Sequence, residues 1–256
     1  MSDKATDIYS LSRPKRLGEW RKAADASALF QHLFPELPSG AQIIEVGPGH
    51  GHFARECKRR HLRYIGFEPS IELSAALRHE GITILEKPVP PIEAEDESVD
   101  LVHSNDFVEH LPTYPDVERF FREALRVLRP GGYMSLITPN YRTLKDLFFR
   151  YEYQHSFVTT RQRLHKFLSD CGFQIVASRD FLFWMSPRVN VVDRFLAHLV
   201  VPLARNPLVE FAISRMASED ALFRIHKNVY DHVAILAQKP NAEAFRPSNA
   251  ASRKVN

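Results

Sequence analysis

Apolar residues fall into short runs separated by charged, amphipathic stretches, the alternation expected of buried parallel strands covered by helices. The run Ile43-Ile44-Glu45-Val46 leads into Gly47, Gly49 and Gly51, and an amphipathic segment follows over 53–58; the pattern predicts a strand, a tight turn and a helix start. Further strands are predicted at 64–68, 82–85, 99–104, 133–138, 173–176 and 229–237, with a helix over 71–79. A helix over about 115–128 has Asp116 and Glu118 in its first turn, buries Phe120, Ala124, Leu125 and Leu128, and is stopped by Arg129-Pro-Gly-Gly. Thr159, with Gln162 three residues on, is the predicted N-cap of a helix ending at Gly172.

Three stretches fall outside this alternation. Residues 1–18 are irregular, with a small basic cluster at Arg13, Lys15 and Arg16, and 19–34 is helical in pattern, with Trp20, Ala23, Ala24, Ala28, Leu29 and Phe30 sharing a face. That helix is either a lid over a site or an element packed beside the sheet. An insertion at about 183–228 carries one apolar face through Val192, Phe195, Leu196, Leu199, Val200 and Leu203, and another from Val209 to Met216. Asp193, Arg194, Arg205, Glu210 and two prolines interrupt it, which argues against a membrane span. A helical cap, a lid forming an apolar substrate pocket and a membrane-surface helix remain as readings. The polar tail from 241 to 256 is expected to be disordered.

Composition narrows the class. A chain of 256 residues with 44% hydrophobic content can build one large core, and no Pro/Gly/Ser-rich linker divides it, so a single domain over 1–240 is expected. A net charge of +3, with the basic residues scattered, neither demands nor excludes nucleic acid. Two cysteines without C-x-x-C spacing imply no disulfide framework, and residues 1–16 alternate polar and charged positions without the apolar core expected of a secretory signal. A cytoplasmic protein is the expectation.

The glycine turn brings in chemistry. A turn from a buried strand to a helix needs backbone angles and close approaches that a Cβ obstructs, and a ligand can then lie against the main chain near the helix N-terminus. The spacing G-x-G-x-G differs from the dinucleotide pattern, whose third glycine place is held by His52, which argues against NAD. Glu45 precedes the first glycine and Glu68 ends the next apolar run; two such acids suit a nucleoside with an amino-acid tail.

With S-V-D-L-V-H-S-N-D-F-V-E-H-L (98–111), V-L-R-P-G-G-Y-M-S-L-I-T-P-N (127–140) and C-G-F-Q-I-V (171–176) following in order, the chain from about 43 to 238 resembles the class I S-adenosylmethionine (SAM) dependent methyltransferases. The resemblance implies a Rossmann-like, doubly wound α/β sheet of seven strands with helices on both faces and the helical insertion before the last strand. It also implies that Glu45, Gly47, Gly49 and Gly51 line the methionine side of SAM and that Glu68 holds the ribose hydroxyls. Pro88 stands where many relatives carry an acid for the adenine amine, so that contact is left to Glu86 or to backbone near Val89.

Asp106, Glu109 and His110 follow the fourth strand, and His155 lies further on. D-F-V-E-H is similar to the E-x-x-E-H of quinone-pathway O-methyltransferases and small-RNA 2'-O-methyltransferases, whose side chains hold a divalent metal. By that likeness Asp106, Glu109, His110 and His155 would hold Mg or Mn, with Asp106 one methylene shorter than the Glu it replaces. A metal-free reading makes Asp106 an N-cap and Glu109 its capping-box partner. His110 or His155 is the candidate proton acceptor, whereas His103 and His165 read as structural. The expected reaction is methylation of a hydroxyl on a small molecule, lipid precursor or glycan. RNA 2'-O-methylation and non-catalytic SAM binding are the alternatives.

Overall fold

The computed structural model describes residues 26–31, 33–34, 37–144, 155–182, 206, 208, 215 and 231–241. Short apolar runs pair laterally because a strand buried on both faces has no other partner for its backbone polar groups. The elements are β1 (Gln42–Val46), α1 (His52–Arg59), β2 (Arg63–Phe67), α2 (Ile71–His79), β3 (Ile84–Leu85), β4 (Val99–Asn105), a 3-10 turn (Val108–His110), α3 (Tyr114–Val127), β5 (Leu128–Pro139), a helical turn (Tyr141–Leu144), α4 (Arg161–Asp170), β6 (Gln174–Leu182) and β7 (Asp231–Gln238). They form one seven-stranded sheet in the order β3-β2-β1-β4-β5-β7-β6. β1 pairs in parallel with β2 and β4, β4 in parallel with β5, and β7 runs antiparallel between β5 and β6. The expected doubly wound sheet is present, and its order reverses between β1 and β4, which places a crevice at the carboxyl ends of those two strands.

Helices cover both faces. On one, Val117, Phe120, Phe121, Ala124 and Val127 of α3 and Leu164, Phe167 and Leu168 of α4 pack with Ile44, Val46, Val102, Met134 and Leu136. Each buried Phe there contributes about 1.5–3 kcal/mol relative to exposure. On the other face, Phe53 and Cys57 of α1 pack with Ile43, Leu101 and Leu236. The described part of the N-terminal helix, 26–31, joins this second cluster, and Phe30 stacks on Phe53 with ring centroids 5.3 Å apart. That packing is the beside-the-sheet arrangement, for the residues described.

Several local expectations change. Arg129-Pro-Gly-Gly does not end α3; the helix stops because Leu128 turns extended, at φ −68 and ψ 137, and enters β5 opposite Val99. The Pro-Gly-Gly then lies within β5, where a Cβ on Gly132 would meet the Arg129 carbonyl at 2.9 Å. Arg129 reaches across to Asp100 at 2.7 Å, tying the strand starts together. Thr160, not Thr159, caps α4, its hydroxyl accepting from the Arg163 N–H at 3.4 Å. Thr159 is instead buried, with its carbonyl accepting from Tyr141 N–H. The capping box at Asp106 is absent: Asp106 has φ +52, and the three-residue 3-10 turn opens after Phe107 with no side-chain cap. The insertion at 183–228, apart from isolated positions, and the tail beyond 241 lie outside the described residues. Among those described, no helix is long and apolar enough to cross a membrane.

Candidate functional site

Two clusters face the crevice, one after β1 and β2 and the other after β4 and β5. The glycine turn belongs to the first. Gly47, Gly49 and Gly51 all have positive φ, at 74, 52 and 74 degrees. Their requirements differ: a Cβ on Gly51 would lie 2.2 Å from Leu77 Cδ2, whereas one on Gly49 would meet nothing within 4 Å. Gly51 is therefore small because α2 packs on it. Gly49 keeps open space above the backbone, the kind of cradle a ligand occupies.

Glu68, at the end of β2, stitches this turn to α2. Its Oε2 accepts from Gly49 N–H at 3.1 Å and its Oε1 from Ser70 N–H at 3.0 Å. Burial raises its pKa above the usual carboxylate value, and those two backbone bonds oppose the shift. Glu45 is 4% exposed, and its Oε2 accepts from the Tyr64 hydroxyl at 2.5 Å. Burial pushes its pKa up to about 8, against the lowering effect of Tyr64 and helped by the nearby charge of Glu68. Glu86 is committed elsewhere: its carboxylate pairs with Arg78 and accepts from Ser74.

At the second cluster the structure brings together three of the four residues that resemblance grouped. One donor atom from each of Glu109, His110 and His155 lies within 4.8 Å of the others. Sequence separation is bridged by backbone: the Glu109 carbonyl accepts from Ser156 N–H at 2.7 Å and Phe157 N–H at 3.1 Å, drawing 155–157 against the 3-10 turn. The His110 and His155 rings meet edge-on with centroids 4.7 Å apart. Thr138, at the end of β5, donates to Glu109 Oε2 at 3.0 Å. Burial lowers the pKa of His110, and the carboxylate of Asp106 pulls it back.

Asp106 is outside that set of mutually close donor atoms, although its carboxylate is near enough to act on His110. Its N–H donates to the Ile137 carbonyl, and its Oδ1 lies 3.2 Å from Nε2 of His232. His232 is a residue that sequence reasoning missed. It opens β7, and because β7 runs antiparallel its first residues lie at the carboxyl end of β5, opposite Pro139. The signal, a histidine heading the last apolar run, acquires meaning only once strand direction is known. His103 is structural as expected: it is buried, its pKa driven down to about 3 by burial, with Nδ1 3.1 Å from Ser135 Oγ and its ring 4.1 Å from that of Phe53. His165 sits in the middle of α4.

A surface groove of about 610 Å³, lined in part by Gln42, Lys58, His61 and Thr83, lies at the amino-terminal ends of β1 and β2, opposite the glycine turn. Its location excludes it from the crevice chemistry.

Known proteins agree with this architecture. A methyltransferase from Mycobacterium sp. (strain KMS), itself uncharacterized, is 35% identical over 112 residues, covering 43% of this chain and 43% of the relative. A probable SAM-dependent methyltransferase of Mycobacterium tuberculosis is 28% identical over 114 residues, covering 44% and 40%. The matched stretch thus spans about half or less of the length of the curated relatives. Among solved structures, the complex of the Haloferax volcanii Trm112 methyltransferase activator with its methyltransferase matches with TM-score 0.65 at 16% identity, over 94% of this chain and 100% of the other. The Haemonchus contortus phosphoethanolamine N-methyltransferase 2 bound to SAM matches with TM-score 0.63 at 16% identity, over 92% and 60%. A family model described as a methyltransferase domain matches residues 17–178, more than half of the sequence, and the chain belongs to that methyltransferase-domain family.

Proposed function

We propose that the protein is a SAM-dependent methyltransferase acting on a hydroxyl group of a small molecule, lipid precursor or glycan. The observation that carries this reading is that a glycine turn flanked by two buried carboxylates and a cluster of imidazoles and carboxylates both lie at the carboxyl ends of the strands beside the point where the sheet order reverses. The residues suit SAM: Gly49 has open space above its backbone, and on this reading Glu68 takes the ribose hydroxyls and Glu45 the ammonium. When bound, SAM supplies a methyl group on a sulfonium, activated for in-line displacement.

The chain's own work is to hold an acceptor close and remove its proton. Burial lowers the pKa of His110, against the opposing pull of Asp106, and so favours the neutral imidazole, whose ring nitrogen can take a proton from a hydroxyl. His155 is the alternative acceptor in the same cluster, and Asp106 with His232 borders it from the β7 side. Glu109, His110 and His155 offer one carboxylate and two imidazoles, a donor set that suits a borderline divalent ion such as Mn better than Mg, with Asp106 outside the set. An ion there would supply Lewis acidity to a substrate oxygen. The D-x-x-E-H likeness together with that donor set favours RNA 2'-O-methylation as the second reading.

The test is SAM consumption measured across phenols, glycans, prenyl and acyl alcohols and short RNAs, with and without chelator. Turnover on hydroxyl acceptors supports the reading, and turnover confined to RNA selects the second. Turnover on amines alone overturns the hydroxyl assignment. Indifference to chelator removes the metal.

A further inference from the structure

We infer that ligand binding at the glycine cradle releases a proton from Glu45, and that Tyr64 is a positioning residue that holds the Glu45 carboxyl ready for this exchange. The inference rests on the reading that the cradle binds a nucleoside carrying an ammonium group.

The geometry begins with β1 and its neighbours. Glu45 lies opposite Gly66 on β2 and His103 on β4, so its side chain rises between two strands. Tyr64 and Gly66 share one face of β2, two residues apart. A Cβ on Gly66 would sit 2.7 Å from the Tyr64 hydroxyl, so the missing side chain is what lets Tyr64 lean along its own strand to reach Glu45. Among the described residues, Glu45 accepts from this hydroxyl and is paired with no cationic side chain. A buried carboxylate with one neutral donor is poorly compensated, and its proton stays on until a positive charge arrives.

The titratable groups around it do not substitute for that charge. Cys57, facing it from α1, has its thiol pKa raised by burial and then by Glu45, which keeps the thiol neutral. His103 from β4 is held neutral by burial. Glu68, at the end of β2, adds negative charge nearby and so favours the protonated form of Glu45. His50 and His52 flank Gly51 at the start of α1. A ligand ammonium placed against Glu45 reverses this balance, because an opposite charge within hydrogen-bonding distance favours the ionised form. The carboxyl O–H bond breaks, the proton leaves to solvent, and a charge-assisted pair forms in its place.

Titration calorimetry of S-adenosylhomocysteine into the full chain, in buffers of differing ionisation enthalpy, tests this. In the wild type, close to one proton is released per ligand between about pH 6 and 7, and affinity rises by up to about tenfold per pH unit before levelling near pH 8. Glu45→Gln, which matches the neutral carboxyl in size, is expected to abolish both effects. Tyr64→Phe removes a hydrogen bond that lowers the Glu45 pKa, so the levelling point moves to higher pH while proton release persists. If Tyr64 merely fills space, the curve stays where it is. Proton release below about 0.2 per ligand at pH 7 in the wild type overturns the inference. So does equal release in Glu45→Gln, which would assign the proton to Glu68, His50 or His52. Absence of any S-adenosylhomocysteine binding by the wild type instead overturns the proposed function.

Discussion

At the scale of single residues, the same amino acid does different work at neighbouring positions. Gly49 and Gly51 both have positive φ, but only Gly51 is pressed by another side chain. Gly51→Ala forces Leu77 aside and is expected to lower stability by about 1–3 kcal/mol, read from urea unfolding. Gly49→Val adds a β-branched side chain at φ +52 and fills the cradle; S-adenosylhomocysteine binding by calorimetry should be lost while most of the fold remains by circular dichroism. Retained full affinity would remove Gly49 from the binding site. His110→Ala and His155→Ala should leave that binding intact and cut turnover, by about 10²–10⁴ for whichever is the proton acceptor. His232 separates position from chemistry. His232→Gln keeps an N–H donor toward Asp106 and should retain more turnover than His232→Phe, which keeps only the ring shape. Equal rates in the two variants would show that the Asp106 contact is dispensable.

At the scale of elements, caps and strand ends decide where chemistry falls. Thr160 is the functional N-cap of α4, so Thr160→Ala should cost about 1 kcal/mol in urea unfolding. Thr159→Ala tests something else, since that side chain is buried next to the turn at Tyr141. The 3-10 turn after β4 is too short to be held by its own hydrogen bonds. Its position comes from Thr138 on Glu109 and from the two N–H groups of 156–157 on the Glu109 carbonyl. Glu109→Gln can keep the Thr138 hydroxyl as a partner and is expected to fold. Glu109→Leu leaves that hydroxyl buried without its acceptor and should destabilise by about 1–3 kcal/mol. This comparison separates a scaffolding role for Glu109 from a metal-binding one, which Gln would also impair.

At the scale of the whole molecule, stability and pH are linked through a carboxyl buried where the sheet order reverses. The folded-state pKa of Glu45, about 8, lies above its ordinary value of 4.5. Its stabilising contribution is therefore complete below about pH 4.5 and is lost as pH rises through about 8. For the ligand-free protein, Glu45→Gln should raise the thermal midpoint at pH 8 more than at pH 5, and a pH-independent difference would contradict this linkage. Much of this architecture was legible beforehand. Periodicity located all seven strands to within a few residues at most ends, and α2 from end to end, because buried strands and amphipathic helices carry their burial pattern in the order of residues. The glycines, Glu45 and Glu68 were legible too, since a strand–turn–helix is local and needs no distant partner. Local sequence could not supply what depends on register between distant segments. It offered Asp106 either as a metal ligand, by resemblance, or as a capping-box N-cap, because D-x-x-E satisfies that pattern, whereas pairing of β4 with β5 and of β5 with β7 turned Asp106 toward His232. It passed over His232 because the direction of β7 is set by its hydrogen-bonded neighbours, not by its composition. It did not anticipate that Tyr64 reaches Glu45 across the space left by Gly66. Sequence alone thus determined the family, the sheet and the glycine turn between β1 and α1. The tertiary structure decided which acids and imidazoles share a site, because side-chain neighbourhoods across a sheet depend on strand order and register, which close only when the chain folds.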